Sequence, residues 1–205
     1  MKENKENLFR FKNDEINFYI LKKLTENGRV SYSEIARELG LSHVAIKNRI
    51  EDLLTDNIIK IRAELNYAQF NLKLGLLLLE IEYHDLDYIS AIYQKCPRII
   101  YHFNIMGQYN FAVLFYGEDQ NTFETILNSC MLYNLKGIRK SNLLIIGNVN
   151  QPLFFPFKYN ELNSESENAP CGICCNTCKK FEESHCLGCP ASKYYRGPFK
   201  VRDTV

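Results

Sequence analysis

Six cysteines lie within 19 residues near the C-terminal end of this 205-residue chain. They are Cys171, Cys174, Cys175, Cys178, Cys186 and Cys189. The spacings Cys-x3-Cys-x2-Cys and Cys-x2-Cys allow several thiolates to converge on one centre, and a second spacing through Cys174 is also open. Clustered cysteines in a cytosolic chain point to metal rather than to disulfides. The sequence therefore predicts a metal site formed by these six residues.

Two kinds of metal centre fit these spacings. Zinc takes four ligands at tetrahedral angles, and two cysteine pairs would build a structural zinc knuckle. An iron–sulfur cluster also takes four thiolates, commonly three close in sequence and one remote. Cys171, Cys175 and Cys178, with Cys186 or Cys189, supply that pattern. We favour a 4Fe–4S cluster, with zinc as the alternative, and we expect His185 to face solvent.

The other two cysteines, Cys96 and Cys130, stand alone in apolar surroundings. A free cysteine in such a place behaves as a small buried hydrophobic residue. We expect that role for both.

A pair of short amphipathic helices is the clearest pattern in the first part of the chain. Within residues 29–54, one set of apolar residues precedes Gly40-Leu41-Ser42 and another follows it, each at helical spacing. The glycine ends the first helix and the serine caps the second. Helices joined in this way form a helix-turn-helix or an ordinary core hairpin. A third helix over 14–26, with Asp14 as its cap, and a period-2 stretch over 59–63 extend the pattern to a winged helix-turn-helix.

From residue 71 onward the pattern predicts alternating strands and helices. Apolar or β-branched segments at 72–83, 98–107, 110–119 and 138–149 predict strands, and segments at 85–96 and 122–134 predict helices. The order β-α-β-β-α-β is the ferredoxin-like arrangement. The predicted fold class is α+β, with an N-terminal winged helix-turn-helix, a ferredoxin-like βαββαβ domain and a small metal-bound cysteine-rich tail. The predicted boundaries are 1–66, 67–157, a polar linker over 158–170, and 171–205.

This combination resembles the Lrp/AsnC, or feast/famine, family of prokaryotic transcription regulators. The N-terminal residues that carry the resemblance are Gly28-Arg29, Glu34-Ile35-Ala36, Gly40-Leu41-Ser42, Arg49-Ile50, Leu53 and Ile58-Ile59. The second domain matches more loosely, by fold order and by the segment 106–110. The resemblance covers about residues 10–150 and implies binding to double-stranded DNA. The cysteine-rich tail is a departure from the family, although its CGxxCxxC pattern is similar to modules suspected of carrying 4Fe–4S clusters in proteins of anaerobes.

The predicted DNA-binding face lies around the second helix of the motif. Ile46, Ile50 and Leu53 turn inward, so the opposite side of that helix faces out. The outward residues that can approach base edges are His43, Val44, Lys47 and Asn48. Lysine reads guanine and asparagine reads adenine in the major groove. The residues better placed for the phosphate backbone are Ser31, Tyr32, Ser33, Ser42 and Arg49.

The resemblance also implies assembly and an effector site. Regulators of this family dimerise through the sheet of the second domain and often form larger homo-oligomers. Their small-molecule effectors, commonly amino acids, bind near a Gly-x-Tyr-Asp loop between subunits. By position this loop corresponds to Met106, Gly107, Gln108, Tyr109 and Asn110, with Asn110 standing where the family has aspartate.

Composition limits the other functions. The formal net charge is +1, with basic and acidic residues nearly balanced in the N-terminal domain. DNA affinity must therefore come from a local surface, doubled by dimerisation. No apolar run approaches the roughly 20 residues that span a bilayer, and no secretory leader is visible. We expect a cytoplasmic protein without a membrane partner.

The sequence predicts a regulator rather than an enzyme. No Ser/His/Asp set, phosphate-binding glycine loop or pair of catalytic carboxylates stands out. The leading hypothesis is a transcription regulator whose iron–sulfur module senses redox state, oxygen or iron. One alternative is the same regulator with a purely structural zinc knuckle. The other is an electron-transfer or enzymatic iron–sulfur protein that uses its N-terminal domains for assembly.

Overall fold

The computed structural model describes residues 11–130, 135–162 and 165–200, except the side chain of Ser129. It divides the chain into two compact units, Met1–Ala63 and Glu64–Val205. The division falls slightly before the predicted boundary at residue 66, because Glu64–Asn66 is a strand that pairs within the second unit.

The first unit contains three helices, α1 (Glu15–Glu26), α2 (Tyr32–Leu39) and α3 (His43–Thr55). Each begins at a capping side chain that accepts a hydrogen bond from the backbone three residues on. The caps are Asp14, Ser31 and Ser42. Gly40 ends α2 in the left-handed conformation, with φ of 64°, which glycine adopts without strain. The predicted caps Asp14 and Ser42 and the turn at Gly40 are confirmed, Ser31 is a further cap, and the three helices bury one apolar core.

The ribbon predicted over residues 59–63 is not formed. These residues have no regular structure, and Ile59 packs against the core of the first unit. The alternating pattern needs a neighbouring strand to satisfy its backbone, and no described strand lies beside it. The first strand is instead β1 (Glu64–Asn66).

The second unit contains a ferredoxin-like βαββαβ fold. Its elements are β2 (Lys73–Ile81), α4 (Leu86–Lys95), β3 (Ile99–Asn104), β4 (Phe111–Gly117), α5 (Gln120–Ser129) and β5 (Ile138–Ile146). The sheet has the strand order β3-β4-β2-β5, and every pair is antiparallel. This confirms the predicted fold class. The last part of the helix predicted over 122–134, residues 131–134, lies outside the described residues.

The two faces of this sheet have different coverings. On one face, Leu77, Val113 and Phe115 pack beneath α4 and α5. Gly75 allows this packing, because a Cβ there would lie 2.6 Å from ring atoms of Phe115. We call the opposite side the open face. Leu74 lies on it, because side chains alternate along a strand.

The tail packs against the second unit rather than forming a separate globule. Its regular structure is a short turn at Cys175–Thr177 and one turn of helix, α6 (Lys179–Glu182). Tyr195 and Phe199 pack on one end of the open face, together with Phe155 of β6 (Phe154–Pro156). Within the predicted linker, Leu162 and Ala169 are buried, so its described ends are packed. In the described parts of the chain, no helix is both long and apolar enough to cross a bilayer.

A candidate nucleic-acid interface and a candidate metal centre

The outer side of α3 is exposed as the sequence predicts. Ile46, Ile50 and Leu53 are buried in the core of the first unit. The opposite side presents Ser42, His43, Val44, Lys47 and Asn48, all of them exposed. The ion pair of Lys47 with Glu51 (3.5 Å) lies in solvent, where such pairs contribute little. The lysine is therefore free to exchange this partner for another anion.

The start of α2 lies beside this surface. The ring of Tyr32 lies 5.9 Å from the ring of His43, centre to centre. Ser31 and Ser33 are exposed on the same turn. The hydroxyl oxygens of Ser31 and Ser42 accept the N–H groups of Glu34 and Ala45. These two serines therefore position the helices, in addition to any contact they make with phosphate.

Arg49 has an internal role that the sequence did not reveal. Its Nη1 donates to both carboxylate oxygens of Asp14, at 3.0 and 2.8 Å, and to Oδ1 of Asn17 at 2.9 Å. The arginine thus holds α3 against the beginning of α1. Asp14 is 35 residues away in sequence, so spacing alone could not reveal the pair.

The Asp14–Arg49 pair predicts an acid-sensitive first unit. Hydrogen bonds from Arg49 and from the Asn17 backbone hold the pKa of Asp14 below its ordinary value. The unfolded chain therefore binds a proton more readily than the folded chain. The stabilisation is present above the ordinary aspartate pKa and is lost as pH falls through the lowered, folded-state value. Asp14→Asn should lower the melting temperature at pH 7 and flatten its decline between pH 5 and pH 3, as followed by circular dichroism. Asp52→Asn, at an exposed position on α3, is the control, and an unchanged acid profile in Asp14→Asn would contradict the assignment.

The predicted effector loop is largely solvent-exposed. Met106, Gly107 and Gln108 are exposed, and Tyr109 is partly buried. Asn110 is engaged in the fold: Oδ1 accepts the N–H of Ile81 at 2.8 Å, and Nδ2 donates to the carbonyl of Ile81 at 2.7 Å. This side chain extends the ladder at the end of β2.

Cysteines from two parts of the second unit surround one cavity. Its volume is about 70 Å³. The tail contributes Cys171, Cys175, Cys178, Cys186 and Cys189 to its lining, and the ferredoxin-like fold contributes Cys96 and Cys130. Cys174 does not line the cavity; its backbone pairs with that of Asn168 in an isolated antiparallel β-bridge. The remaining walls are mostly apolar, and include Ile92, Ile126 and Phe181.

The sulfurs are spread around the cavity rather than gathered at one point. In the described part of the chain, the one group of three potential ligands within 4.8 Å of one another is the exposed or partly exposed set Glu82, His84 and Asp85. Zinc–sulfur bonds of about 2.3 Å would bring four sulfurs to within roughly 3.8 Å of one another. A cluster binds each thiolate through a different iron and therefore holds them further apart. The arrangement of the cavity sulfurs is therefore wider than the spacing that a single zinc ion imposes.

One backbone donor and one side-chain donor lie near the sulfur of Cys175. The N–H of Cys189 lies 3.2 Å from Sγ of Cys175, and the hydroxyl of Ser192 lies 3.9 Å from the same sulfur. Burial raises the pKa of the Cys186 and Cys189 thiols, and the nearby Arg98 guanidinium opposes this shift. Without a ligand, these two thiols therefore stay protonated at neutral pH, and a bound metal would stabilise them as thiolates.

Cys96 and Cys130 were predicted to be isolated hydrophobic residues. Both do pack against the main core of the second unit. The structure adds that both also line the cysteine cavity. Sequence separation concealed this convergence, because Cys96 precedes the tail by 75 residues. His185 is exposed, as expected.

A buried ion pair joins the cavity to the sheet. Arg98 and Glu118 are both buried, with Nη2 and Oε2 2.8 Å apart. Nη2 of Arg98 also donates to the carbonyl of Gly188, between Cys186 and Cys189, at 2.6 Å. The hydroxyl of Tyr195 donates to Oε1 of Glu118 at 2.9 Å. No sequence signal marked these three side chains.

Comparison with known proteins finds relatives of the helix-turn-helix and of the ferredoxin-like fold. The AsnC-type helix-turn-helix domain matches residues 14–54. The HTH-type transcriptional regulator LysM of Saccharolobus solfataricus is 28% identical over 134 residues, which covers 65% of this chain and 92% of that protein. The chain is thus similar to regulators of the AsnC type, and the family model covers its residues 14–54. An HTH-type regulator of Pyrococcus furiosus is 45% identical over 47 residues, 23% of this chain and 30% of that protein.

The fold of the chain agrees with solved structures. The structure of AsnC from E. coli superposes with a TM-score of 0.61 at 18% identity, and covers 69% of this chain and 96% of that one. The relatives are named as transcription regulators, not as enzymes.

The loop over residues 106–110 predicts an effect of substitution at position 110. Asn110→Asp keeps the size of the side chain but removes the N–H donor to the carbonyl of Ile81. An unpaired carbonyl and a carboxylate beside it should lower the free energy of unfolding by about 1–3 kcal/mol. Urea denaturation measures this, with Asn142→Asp at an exposed position of β5 as the control. Equal stability of the two variants would show that the paired bonds to Ile81 contribute little.

Proposed function

We propose that this protein is a DNA-binding transcription regulator of the Lrp/AsnC type whose cysteine cavity holds an iron–sulfur cluster of the 4Fe–4S type. The cluster senses redox state, oxygen or iron. The observation that supports the sensing proposal is that five tail cysteines line one cavity. Residues of the ferredoxin-like fold form the other wall of that cavity. A cytoplasmic location follows from a role on DNA.

The DNA-binding surface consists of the outer side of α3 and the start of α2. In a helix-turn-helix the second helix enters the major groove, with its N-terminal residues at base edges. His43, Val44, Lys47 and Asn48 occupy that part of α3 and are exposed. Ser31, Tyr32, Ser33 and Ser42 flank them and fix the register on the phosphates. Arg49 supports this surface through Asp14.

The open face of the sheet supports assembly with a second copy. Tyr101, Phe103 and Leu144 pair with Leu114, Ala112 and Leu76, so they share that face. All three are large apolar residues with 44–51% of their surface exposed. Apolar groups clustered in this way mark association surfaces. A homodimer, or a larger homo-oligomer, would hold two reading helices in register for half-sites roughly 34–36 Å apart. A small-molecule effector at the loop 106–110 would act between such copies.

Sensing would work by linkage. An iron–sulfur cluster supplies a centre that changes charge on electron transfer and is lost on oxidation or iron depletion. If one state of the cluster stabilises one arrangement of the assembled protein, it changes the affinity of the protein for DNA. The size of that change equals the free energy of coupling between the cluster and the DNA site. The chain's contribution is to hold the centre against α4, α5 and the sheet rather than on a free tail.

The DNA-binding surface is tested by paired lysine substitutions. Lys47→Ala should weaken binding to duplexes that the unmodified protein enriches from a random pool, and should do so by about tenfold. Asn48→Ala should relax discrimination at one base position by about 1–3 kcal/mol. Lys22→Ala removes the same charge from an exposed site on α1 and should leave binding unchanged. Equal loss in the Lys22 and Lys47 variants would contradict a reading role for α3.

The metal proposal is tested on anaerobically purified full-length protein. A broad absorption near 400 nm, with iron and acid-labile sulfide by chemical analysis, is the expected result. Zinc alone would support the structural zinc knuckle and overturn the sensor. Gel-shift titrations of metal-loaded and metal-free protein then test sensing, and equal DNA affinity in both states would overturn it.

A further inference from the structure

The segment after the last cysteine spans the distance between the cysteine cavity and the open face of the sheet. We call residues 190–200 the strap. At its beginning the Ser192 hydroxyl lies 3.9 Å from Sγ of Cys175. At its end Phe199 packs against Tyr116 and Phe157, with ring centres 6.0 and 4.7 Å apart. One short segment therefore contacts both the candidate metal centre and the sheet.

The middle of the strap is fixed by the buried network. Tyr195 is buried, and its hydroxyl donates to Glu118. Glu118 is held by Arg98, and Arg98 also donates to the carbonyl of Gly188 between two cavity cysteines. A displacement of the 186–189 loop therefore withdraws an acceptor from Arg98 and disturbs the anchor of Tyr195. A buried charge pair tolerates such a loss poorly, because each partner depends on the full set of bonds.

The remaining contacts of the strap are largely with the tail itself. The N–H of Ser192 donates to the carbonyl of Cys189 at 3.0 Å, and the N–H of Arg196 donates to the carbonyl of Leu187 at 2.8 Å. The Arg196 guanidinium lies 4.0 Å from the centre of the Phe181 ring, and Lys193 pairs with Glu167 at 2.6 Å. Residues 171–200 contain one helix of four residues and one short turn, and a segment of this size cannot bury a sufficient core without a metal or a covalent link. The order of the strap therefore depends strongly on the loop that carries Cys186 and Cys189.

We propose that the Arg98–Glu118–Tyr195 network couples the position of the strap to the metal centre. When the centre holds its metal, the strap stays packed on the sheet. When the metal is lost, the strap is released and the apolar end of the open face is exposed. This deepens the proposed function and rests on it. The uncovered residues include Leu74 and Tyr116, which the strap and β6 now bury. They adjoin the exposed apolar residues of the same face, so release of the strap changes the surface available to a second copy.

Hydrogen–deuterium exchange of the full-length protein tests this, with metal content measured on the same samples. In metal-loaded protein, amides in 190–200 should exchange at least about tenfold more slowly than after the metal is stripped by a chelator. Amides of β4 should change little between the two states. Equal exchange of the strap in the two states, with metal present in one of them, would overturn the coupling and leave the proposed metal centre intact. Absence of metal from the anaerobic protein would overturn both.

A mild variant tests the network itself. Tyr195→Phe removes one hydroxyl outside the cavity and should keep the full metal content, because Tyr195 does not line the cavity. In its loaded state the strap should exchange about tenfold faster, since hydrogen bonds to charged groups contribute roughly 1.5–3 kcal/mol. Tyr194→Phe is the matched control and should behave as the unmodified protein. Equal strap exchange in the two variants would show that Glu118 does not anchor the strap.

Discussion

Cys175→Ala should leave the anaerobically purified protein without its metal, whereas Cys174→Ala should leave it fully loaded. The two cysteines are adjacent in sequence but differ in position. Cys175 is buried, lines the cavity and receives the N–H of Cys189 at 3.2 Å. Cys174 lies outside the cavity lining, and its backbone forms a β-bridge with Asn168. Loss of a ligand should reduce metal affinity by more than the roughly 10–100-fold that loss of a supporting contact costs.

The measurement is iron, zinc and sulfide per chain, together with the absorption spectrum. Because both substitutions remove one thiol from the same turn, a general effect on folding should appear in both. Single substitutions at Cys171, Cys178, Cys186 and Cys189 complete the series, and a four-ligand centre leaves one of the five cavity positions tolerant. Metal loss in Cys174→Ala with retention in Cys175→Ala would overturn the proposed ligand set.

Arg98→Ala should destabilise the second unit by about 3–5 kcal/mol, because it leaves the buried carboxylate of Glu118 without its charge partner. Only 1% of the Glu118 side chain is exposed. The carboxylate would keep the Tyr195 hydroxyl as a donor, which offsets a small part of the loss. The carbonyl of Gly188 would lose its donor as well. Chemical denaturation of metal-free protein measures the effect without a contribution from the centre.

A double-mutant cycle separates the pair from its surroundings. Arg98→Met with Glu118→Leu removes both charges and should recover much of the loss, since apolar residues of similar volume often replace a buried pair without cost. Arg139→Ala is the control, because its pair with Glu82 is exposed and such pairs contribute about 0–1 kcal/mol. A loss in Arg98→Ala no larger than in Arg139→Ala would show that the buried pair is not a determinant of stability.

Local sequence patterns predicted the parts of this fold that depend on neighbours along the chain. The three helices of the first unit follow from apolar spacing and from the caps Asp14 and Ser42. The order of strands and helices in the second unit follows from period-2 and period-3.6 patterns. The six tail cysteines were marked by density alone, although density could not distinguish Cys174 from the five that line the cavity.

Contacts between residues far apart in sequence were not predictable in this way. Arg49 was assigned to phosphate because it lies on the reading helix, and its bond to Asp14 became visible only in the folded unit. Cys96 and Cys130 reach the cysteine cavity because α4 and α5 end beside the tail. The stretch 59–63 alternates as a strand does, but a strand forms only where a partner exists. In each case the missing information was which distant segment lies alongside.

The pairing of β1 with β6 has a consequence for how the protein is made. Leu65 lies opposite Phe155, about 90 residues later in the chain. The helix-turn-helix unit builds its core from its own residues and can fold early in synthesis, since domains generally fold as units from the N-terminus. The strand that follows it stays unpaired until β6 has left the ribosome. A chain shortened before Phe154 to remove the cysteines would therefore also deprive β1 of its partner, and a deletion intended to report on the tail alone should end after Phe157.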